Sequence, residues 1–135
     1  MINIESQVFE KVISALEAIS SSIDVKSVTT YEPSVFPCVC IEEADNSVYE
    51  GTRDSSTIEN HATLMYEVNI YSNKSYGAKA ECKSLLATVD ATLAQYNFTR
   101  ISSGPSPLTI NNPMKYRITA RYEVVSSTDE KLFWR

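Results

Sequence analysis

Few side chains in this sequence are of the kinds that perform catalysis, and their spacing matches no catalytic pattern. The chain has one histidine, His61, on the polar side of an alternating segment, which is typical of a surface or interface residue. No serine stands in a GxSxG setting, and neither GxGxxG nor GxxxxGK[ST] occurs. Glu42 and Glu43 are neighbours on a predicted strand, so their side chains point to opposite faces and cannot share a proton. We therefore expect no catalytic residue, no cofactor-binding residue and no enzymatic activity.

The cysteines are the first candidates for metal ligands. The chain has three, and Cys38 and Cys40 point the same way on one predicted strand, where a disulfide between them would be strained. Together with Cys82 and His61 they could supply four zinc ligands, but the spacing is not that of a zinc finger or ribbon. We expect instead buried small hydrophobic residues in a reducing cytoplasm.

Carboxylates offer a second, equally weak metal pattern. Glu42, Asp45 and Asp54 could bind Ca²⁺ if the intervening loop folded back, but they lack the EF-hand spacing. The sequence therefore predicts no metal site.

The longest regular pattern runs from Asn60 to Tyr71 and predicts a central strand. Apolar and polar residues alternate there, which places one set on a core and the other on an outer face. The inward set is Ala62, Leu64, Tyr66, Val68 and Ile70. Residues Lys115 to Ser126 alternate in the same way, so we predict that the two strands are antiparallel neighbours. Their outer faces would then place Glu67 and His61 against Arg117 and Arg121.

Two helices and three short strands complete the prediction. Apolar residues recur every three or four positions in Ile4 to Ser20 and in Tyr76 to Tyr96, with Ser75 as N-cap and Asn97 as terminator of the second helix. The short strands are Val25 to Tyr31, Cys38 to Ala44 and Phe98 to Ser102, and the last ends before the chain-breaking Gly104-Pro105-Ser106-Pro107. Asp45 to Glu59 shows no clean period and predicts a long loop or an extended hairpin arm.

These elements predict a single α+β domain over residues 1–126. Its sheet is mainly antiparallel and twisted, two helices pack on one face, and the order is α-β-β-(long loop)-β-α-β-β. A length of 135 residues suits one domain with a core that needs neither disulfide nor metal. Residues 127–135 form a tail whose Leu132, Phe133 and Trp134 either fold back or contact a neighbouring subunit.

Charge is concentrated in one part of the chain. Six acidic residues and one arginine lie between Glu42 and His61, a net charge of −5 that equals the charge of the whole chain. This balance is unlike that of a duplex-DNA binder or of a basic membrane-surface helix. We also expect no secretory signal and no membrane span, because the sequence has no basic start followed by an apolar run and no apolar stretch of sufficient length.

Several short strings resemble the tail-terminator and tail-completion proteins of long-tailed bacteriophages, also called head–tail joining or neck proteins. They are Phe36-Pro37-Cys38-Val39-Cys40-Ile41-Glu42-Glu43, Tyr66-Glu67-Val68-Asn69-Ile70-Tyr71-Ser72, Val89-Asp90 with Leu93, Phe98-Thr99-Arg100, and Arg117-Ile118-Thr119-Ala120-Arg121-Tyr122-Glu123-Val124. Together with the order of elements, the resemblance covers Val8 to Val125.

The resemblance implies a structural protein of the virion, made in the cytoplasm of the host bacterium and located at the neck of the tail. Such proteins form a homo-hexameric ring on the tail tube, stop its growth and offer a surface for joining the head. The partners implied are further copies of the chain, the major tail tube protein and a head-side connector or completion protein. DNA would pass through the ring without specific binding, and no membrane is involved.

Under this interpretation the contact residues lie in the acidic stretch, on the outer face of the last long strand and in the tail. They are Asp45, Tyr49, Glu50, Arg53, Asp54, Glu59, Arg117, Arg121, Leu132, Phe133 and Trp134. Two alternatives stay open. One is another neck role, such as a head-completion adaptor. The other is a non-phage ligand-binding module with a pocket lined by Tyr66, Tyr116 and Tyr122.

Overall fold

A computed structural model describes residues 3–27, 35–48, 61–74, 76–105, 116–127 and 132–134 of the chain. The elements in order are α1 (Glu5–Glu17), β1 (Asp24–Lys26), β2 (Cys38–Val48), β3 (His61–Ser72), α2 (Ala78–Gln95), β4 (Thr99–Pro105), β5 (Tyr116–Ser127) and β6 (Leu132–Trp134). They build one sheet with the strand order β1-β2-β3-β5-β4, and β6 also pairs with β5. All strand pairs are antiparallel except β1 with β2. The predicted α+β class, the single domain and the order of elements are confirmed.

The two long alternating strands are neighbours, as predicted. β3 and β5 pair over their full length, from His61 opposite Ser127 to Ser72 opposite Tyr116. All five inward residues predicted for β3 are fully buried. They pack with the inward residues of β5 against the helices, so one face of the sheet forms the core.

Both helices cover the same face of the sheet. The apolar stripe of α1 buries Val8, Val12 and Leu16, and α2 buries a longer stripe of five residues: Cys82, Leu85, Leu86, Val89 and Leu93. Helix α2 ends before Asn97, whose φ of 67° is the left-handed conformation expected of a terminating asparagine. The N-cap of α2 is Gly77 rather than the predicted Ser75, which lies outside the described residues.

Two strands are longer than predicted, because polar sequence concealed their ends. β2 continues through Asp45 to Val48 after a bulge between Glu43 and Asp45, so the predicted loop begins later than expected. β4 runs through Gly104 and Pro105, where the sequence predicted a break. Proline is tolerated there because β4 lies at the end of the strand order and Pro105 is its last residue. Within the described residues, no helix is both long enough and apolar enough to cross a membrane.

Candidate interface on the outer face of the sheet

The face of the sheet opposite the helices, here called the outer face, consists of rows of side chains that run across β2, β3 and β5. Each row is fixed by strand register, because directly opposite residues point to the same side. The first row contains Cys38, Tyr71 and Arg117, and the second contains Cys40, Asn69 and Thr119. Glu42, Glu67 and Arg121 form the third row, and Asp45, Met65 and Glu123 form the fourth. The rows become more exposed from the first to the fourth.

A small buried cluster spans the first two rows. Cys38, Cys40 and Tyr71 are fully buried and pack with Phe36. The two thiols form no disulfide, and their Sγ atoms lie 3.9 Å apart, as expected for side chains that point the same way from one strand. The hydrogen bond with Cys40, together with burial, raises the pKa of Cys38 above its ordinary value. This thiol is therefore protonated and unreactive.

The second row is organised around Asn69, a fully buried polar residue on the outer face. Its Oδ1 accepts hydrogen bonds from Arg117 Nε at 3.2 Å, from Arg117 Nη2 at 2.9 Å and from Thr119 Oγ1 at 2.7 Å. Its Nδ2 donates to Glu67 Oε1 at 3.3 Å. The Arg117 guanidinium also lies 5.3 Å from the centre of the Tyr71 ring. Asn69 in the second row therefore fixes the position of Arg117 in the first row.

The third and fourth rows form an acidic patch, defined here as Glu42, Asp45, Glu67, Arg121 and Glu123. Four carboxylates stand against one guanidinium, which gives the patch a net charge of −3. Arg121 Nη2 lies 3.9 Å from Glu67 Oε2, with about half of the arginine side chain exposed, so this ion pair contributes little to stability. The patch is accessible to solvent and presents mainly negative charge.

Two buried tyrosines connect the core to carboxylates at its edges. Tyr66 Oη donates to Glu43 Oε1 at 3.3 Å, and Tyr122 Oη donates to Asp90 Oδ1 at 2.9 Å. Burial is the main cause that raises the pKa of each tyrosine, so both remain neutral donors. Both side chains are at most 1% exposed. Both are core residues, so they do not line a pocket with Tyr116 of the kind that would have indicated a ligand-binding module.

Glu43 lies close to a second carboxylate, that of Glu5 on α1. Glu5 Oε2 accepts the backbone N–H of Glu43 at 2.9 Å. Burial and the nearby charge of Glu5 raise the pKa of Glu43 above its ordinary value. Within the described residues, no group of three or more His, Cys, Asp or Glu side chains is placed to hold a metal ion.

The structure places the predicted contact residues in three different settings. Asp45 and Arg121 lie in the acidic patch, and the half-buried Arg117 stands opposite Tyr71 in the first row instead of opposite an acid. Arg121 stands opposite Glu67 as predicted, whereas His61 stands opposite Ser127 and not opposite an arginine. Leu132, Phe133 and Trp134 form β6, which pairs with β5 and so folds back on the chain's own sheet. Tyr49, Glu50, Arg53, Asp54 and Glu59 lie outside the described residues.

Sequence reasoning missed two features of the outer face. Glu42 and Glu123 were not among the predicted contact residues, although their alternation with buried neighbours marks them as outward-pointing. Asn69 was assigned to the polar side of β3, and no sequence signal indicated that it would be fully buried. Its burial depends on partners 48 and 50 residues away in the chain.

No protein-family model and no curated protein matches this chain. Among solved structures, the chain is similar to the gp17 protein of bacteriophage SPP1, with a TM-score of 0.39 and 14% sequence identity. The alignment covers 89% of this chain and 90% of that chain. The similarity is thus to a phage protein, and at this TM-score we transfer no residue from it.

Proposed function

We propose that this chain is a structural protein of a long-tailed bacteriophage that caps the tail tube as a ring, ends tail elongation and provides the surface for joining the head. The observation that carries the proposal is the division of the sheet into a face covered by helices and a face that presents the acidic patch. This is the arrangement, helices on one side only, that the resemblance of the sequence implies. It leaves one sheet face available to line a channel or to contact a partner.

The charge of the patch suits a surface that DNA passes without binding. A net charge of −3 within two rows of side chains repels the phosphate backbone, whereas DNA-binding surfaces neutralise phosphates with lysine and arginine. Glu50, Asp54 and Glu59 follow β2 in the sequence and add further negative charge to the same stretch. In this proposal the ring guides DNA by repulsion and carries out no reaction.

The first experiment is the native mass of the purified protein at low and high concentration, with negative-stain images of the concentrated sample. Six-fold rings with a central pore are expected. Addition of the protein to purified tail tubes should then place a ring at one end and block further growth by tube subunits. A compact monomer at every concentration that also leaves tube growth unchanged would refute the proposal.

A second experiment tests the role of the acidic patch. Glu67→Gln with Glu123→Gln removes two charges from the patch, and Glu10→Gln with Glu17→Gln removes two exposed charges from α1 as the matched control. The patch variant, and equally a variant with Glu50, Asp54 and Glu59 changed to Gln or Asn, should form rings but slow DNA delivery. If both variants deliver DNA at the normal rate, the DNA-guiding role is refuted and the tube-capping role stands.

Binding assays separate this function from another neck role. A tail terminator binds the tube end in the absence of the head, whereas a head-completion adaptor binds the head connector first. Pull-down of the chain with isolated tubes and with isolated heads therefore decides between the two.

A further inference from the structure

The strand β4 ends the sheet on one side, and no described residue pairs with its outer edge. Six of its seven residues are exposed, and Gly104 is half-buried. Every second residue of a paired strand directs its N–H and C=O groups away from the neighbouring strand. Because Pro105 has no N–H, the row of donors and acceptors on this edge runs from Thr99 to Gly104. Such a row is a surface on which a further strand can pair.

A cleft of about 300 Å³ lies between β4 and α2, on the side of the sheet that the helices cover. Its floor includes Ile118 of β5, and its walls are formed by Lys83, Leu86, Ala87 and Asp90 of α2 and by Arg100 and Ser103 of β4. Arg100 and Ser103 stand opposite the buried Tyr122 and Ala120, so both point toward the helices. A strand added to β4 would direct every second side chain to the same side, next to this cleft.

The cleft carries an excess of positive charge. Arg100 Nη1 lies 3.4 Å from Asp90 Oδ1, and the Tyr122 hydroxyl donates to the same oxygen at 2.9 Å. Lys83 is exposed and forms no ion pair with any described residue. Two cations against one carboxylate give the lining a net charge of +1. A carboxylate on an added strand would therefore find an unpaired ammonium beside it.

The larger groove of the molecule offers no such charge. It is lined in part by Ile19, Pro37 and Tyr76, and its volume is about 630 Å³. Its two charged lining residues pair with each other, with Lys74 Nζ 2.9 Å from Glu81 Oε2. Of these two concave surfaces, only the cleft beside β4 combines an open strand edge with a charge that selects a partner.

A second copy of this chain is a poor partner for the edge of β4. Pairing of β4 with β4 of another copy would bring two positively charged clefts together, and like charges oppose such pairing. The other edge of the sheet is β1, which has only three residues. Its acid, Asp24, already lies 3.4 Å from Lys26 Nζ and is not available as a free carboxylate. Both edges of the chain therefore lack the charge that the cleft requires.

We propose that β4 and the adjacent cleft bind an extended acidic segment of a different protein. The segment adds to the sheet as a strand beside β4 and directs a carboxylate toward Lys83 and Arg100. Main-chain hydrogen bonds supply affinity in this mode of binding, and side chains next to the edge supply specificity. The surface lies on the helix side of the sheet, away from the acidic patch, and the proposal does not depend on the tube-capping role.

The test uses the full-length protein and a fluorescent seven-residue peptide of alternating valine and glutamate with blocked ends. Fluorescence anisotropy should show saturable binding to the wild type and at least about a tenfold loss with Lys83→Glu, a change of roughly 1.4 kcal/mol. The same peptide with lysine in place of glutamate should bind as weakly. Lys79→Glu is the matched control, because Lys79 is exposed one turn earlier on α2 and does not line the cleft.

Two further measurements separate strand addition from simple charge attraction. A peptide that is N-methylated at every backbone amide keeps its carboxylates but cannot donate hydrogen bonds to β4, so it should lose at least about tenfold in affinity. In amide NMR spectra of the protein, the unmethylated peptide should shift the signals of Thr99 to Gly104 more than those of Asp24 to Lys26 on the opposite edge.

Four results would overturn the proposal. They are no saturable binding up to about 1 mM peptide, equal binding of the glutamate and lysine peptides, equal binding by wild type and Lys83→Glu, and equal binding of the methylated peptide. Dimers of the protein alone with protected amides on β4 would assign the edge to a second copy instead. None of these results bears on whether the chain caps tail tubes.

Discussion

Replacement of Asn69 by leucine should destabilise the protein more than a surface change of similar size. Leucine has as many side-chain heavy atoms as asparagine and branches at the same carbon, so it leaves no cavity, but it removes the acceptor that binds Arg117 and Thr119. The Oδ1 atom of Asn69 accepts three hydrogen bonds and the side chain is fully buried. The substitution therefore tests whether this polar network, rather than packing, holds the second row of the outer face together.

The expected loss of unfolding free energy comes from Arg117 and Thr119, which no longer have their hydrogen-bond acceptor. A hydrogen bond to a charged group contributes about 1.5–3 kcal/mol and one to a neutral hydroxyl about 1 kcal/mol. Arg117 and Thr119 are only half-buried, so water replaces part of what they lose. We expect a net loss of about 2–4 kcal/mol, which is a large part of the roughly 5–15 kcal/mol that stabilises an ordinary domain.

Urea unfolding followed by circular dichroism measures this loss. With a slope of about 1.5 kcal/mol per molar urea, the midpoint should fall by roughly 1.3–2.7 M. Thr88→Ala is the control, because the Thr88 hydroxyl bonds only within an exposed turn of α2, and its midpoint should barely change. A double-mutant cycle with Thr119→Val should show a coupling of at least about 0.5 kcal/mol. A leucine variant within about 0.5 kcal/mol of wild type would refute the reasoning.

Three further predictions concern the carboxylate pair, the thiols and the tail. Because the folded state raises the pKa of Glu43, its favourable contribution is present at low pH and is lost as the pH rises through the folded pKa. Glu43→Gln should therefore stabilise the protein at pH 7, by on the order of 0.5 kcal/mol for this half-exposed group. In urea titrations this gain should vanish near pH 3, and the control Glu10→Gln should show no such dependence on pH. All three cysteines are fully buried, and burial raises the pKa of Cys82 to about 12. A thiol reagent should therefore modify the cysteines only after the protein unfolds, and rapid modification of one thiol in the native protein would contradict this. Deletion of Leu132 to Arg135 removes β6, which pairs with β5 only at Val125 and Ser126, so circular dichroism should still show a folded domain; a chain that fails to fold would assign β6 to the core.

The parts of the fold that could be predicted from sequence are those in which burial repeats regularly. β3 and β5 alternate over twelve residues each, and both helices bury one stripe, so period alone located them and predicted their pairing. The end of β2 was missed because Asp45, Asn46 and Ser47 are exposed or half-buried, and an exposed strand has no apolar period. Pro105 was taken as a break because sequence does not reveal that its strand lies at the edge of the sheet.

Of the outer face, the sequence predicted only the pairing of Glu67 with Arg121. The pairing of Glu67 with Arg121 followed from two alternating strands, whereas the acidic patch needs the third strand and the bulge that brings Asp45 into the row of Met65 and Glu123. The groove lined by Ile19, Pro37 and Tyr76 was not predicted, because its lining comes from three separate parts of the chain. Ile19 lies within the predicted helix Ile4 to Ser20, but α1 ends at Glu17 and leaves Ile19 exposed outside the core.

The polar network of Asn69 and the exposed acids Asp45 and Glu123 lie in different rows of the outer face. Asn69 and the fourth row are four residues apart on β3, about 13 Å, and they share no partner in the network described here. Changes at sites more than about 7–10 Å apart usually add, so neutralising Glu123 should leave the effect of Asn69→Leu unchanged. The charge of the fourth row can therefore vary without loss of fold, whereas Glu67 in the third row is bonded to Asn69 and belongs to the network that holds the hairpin together.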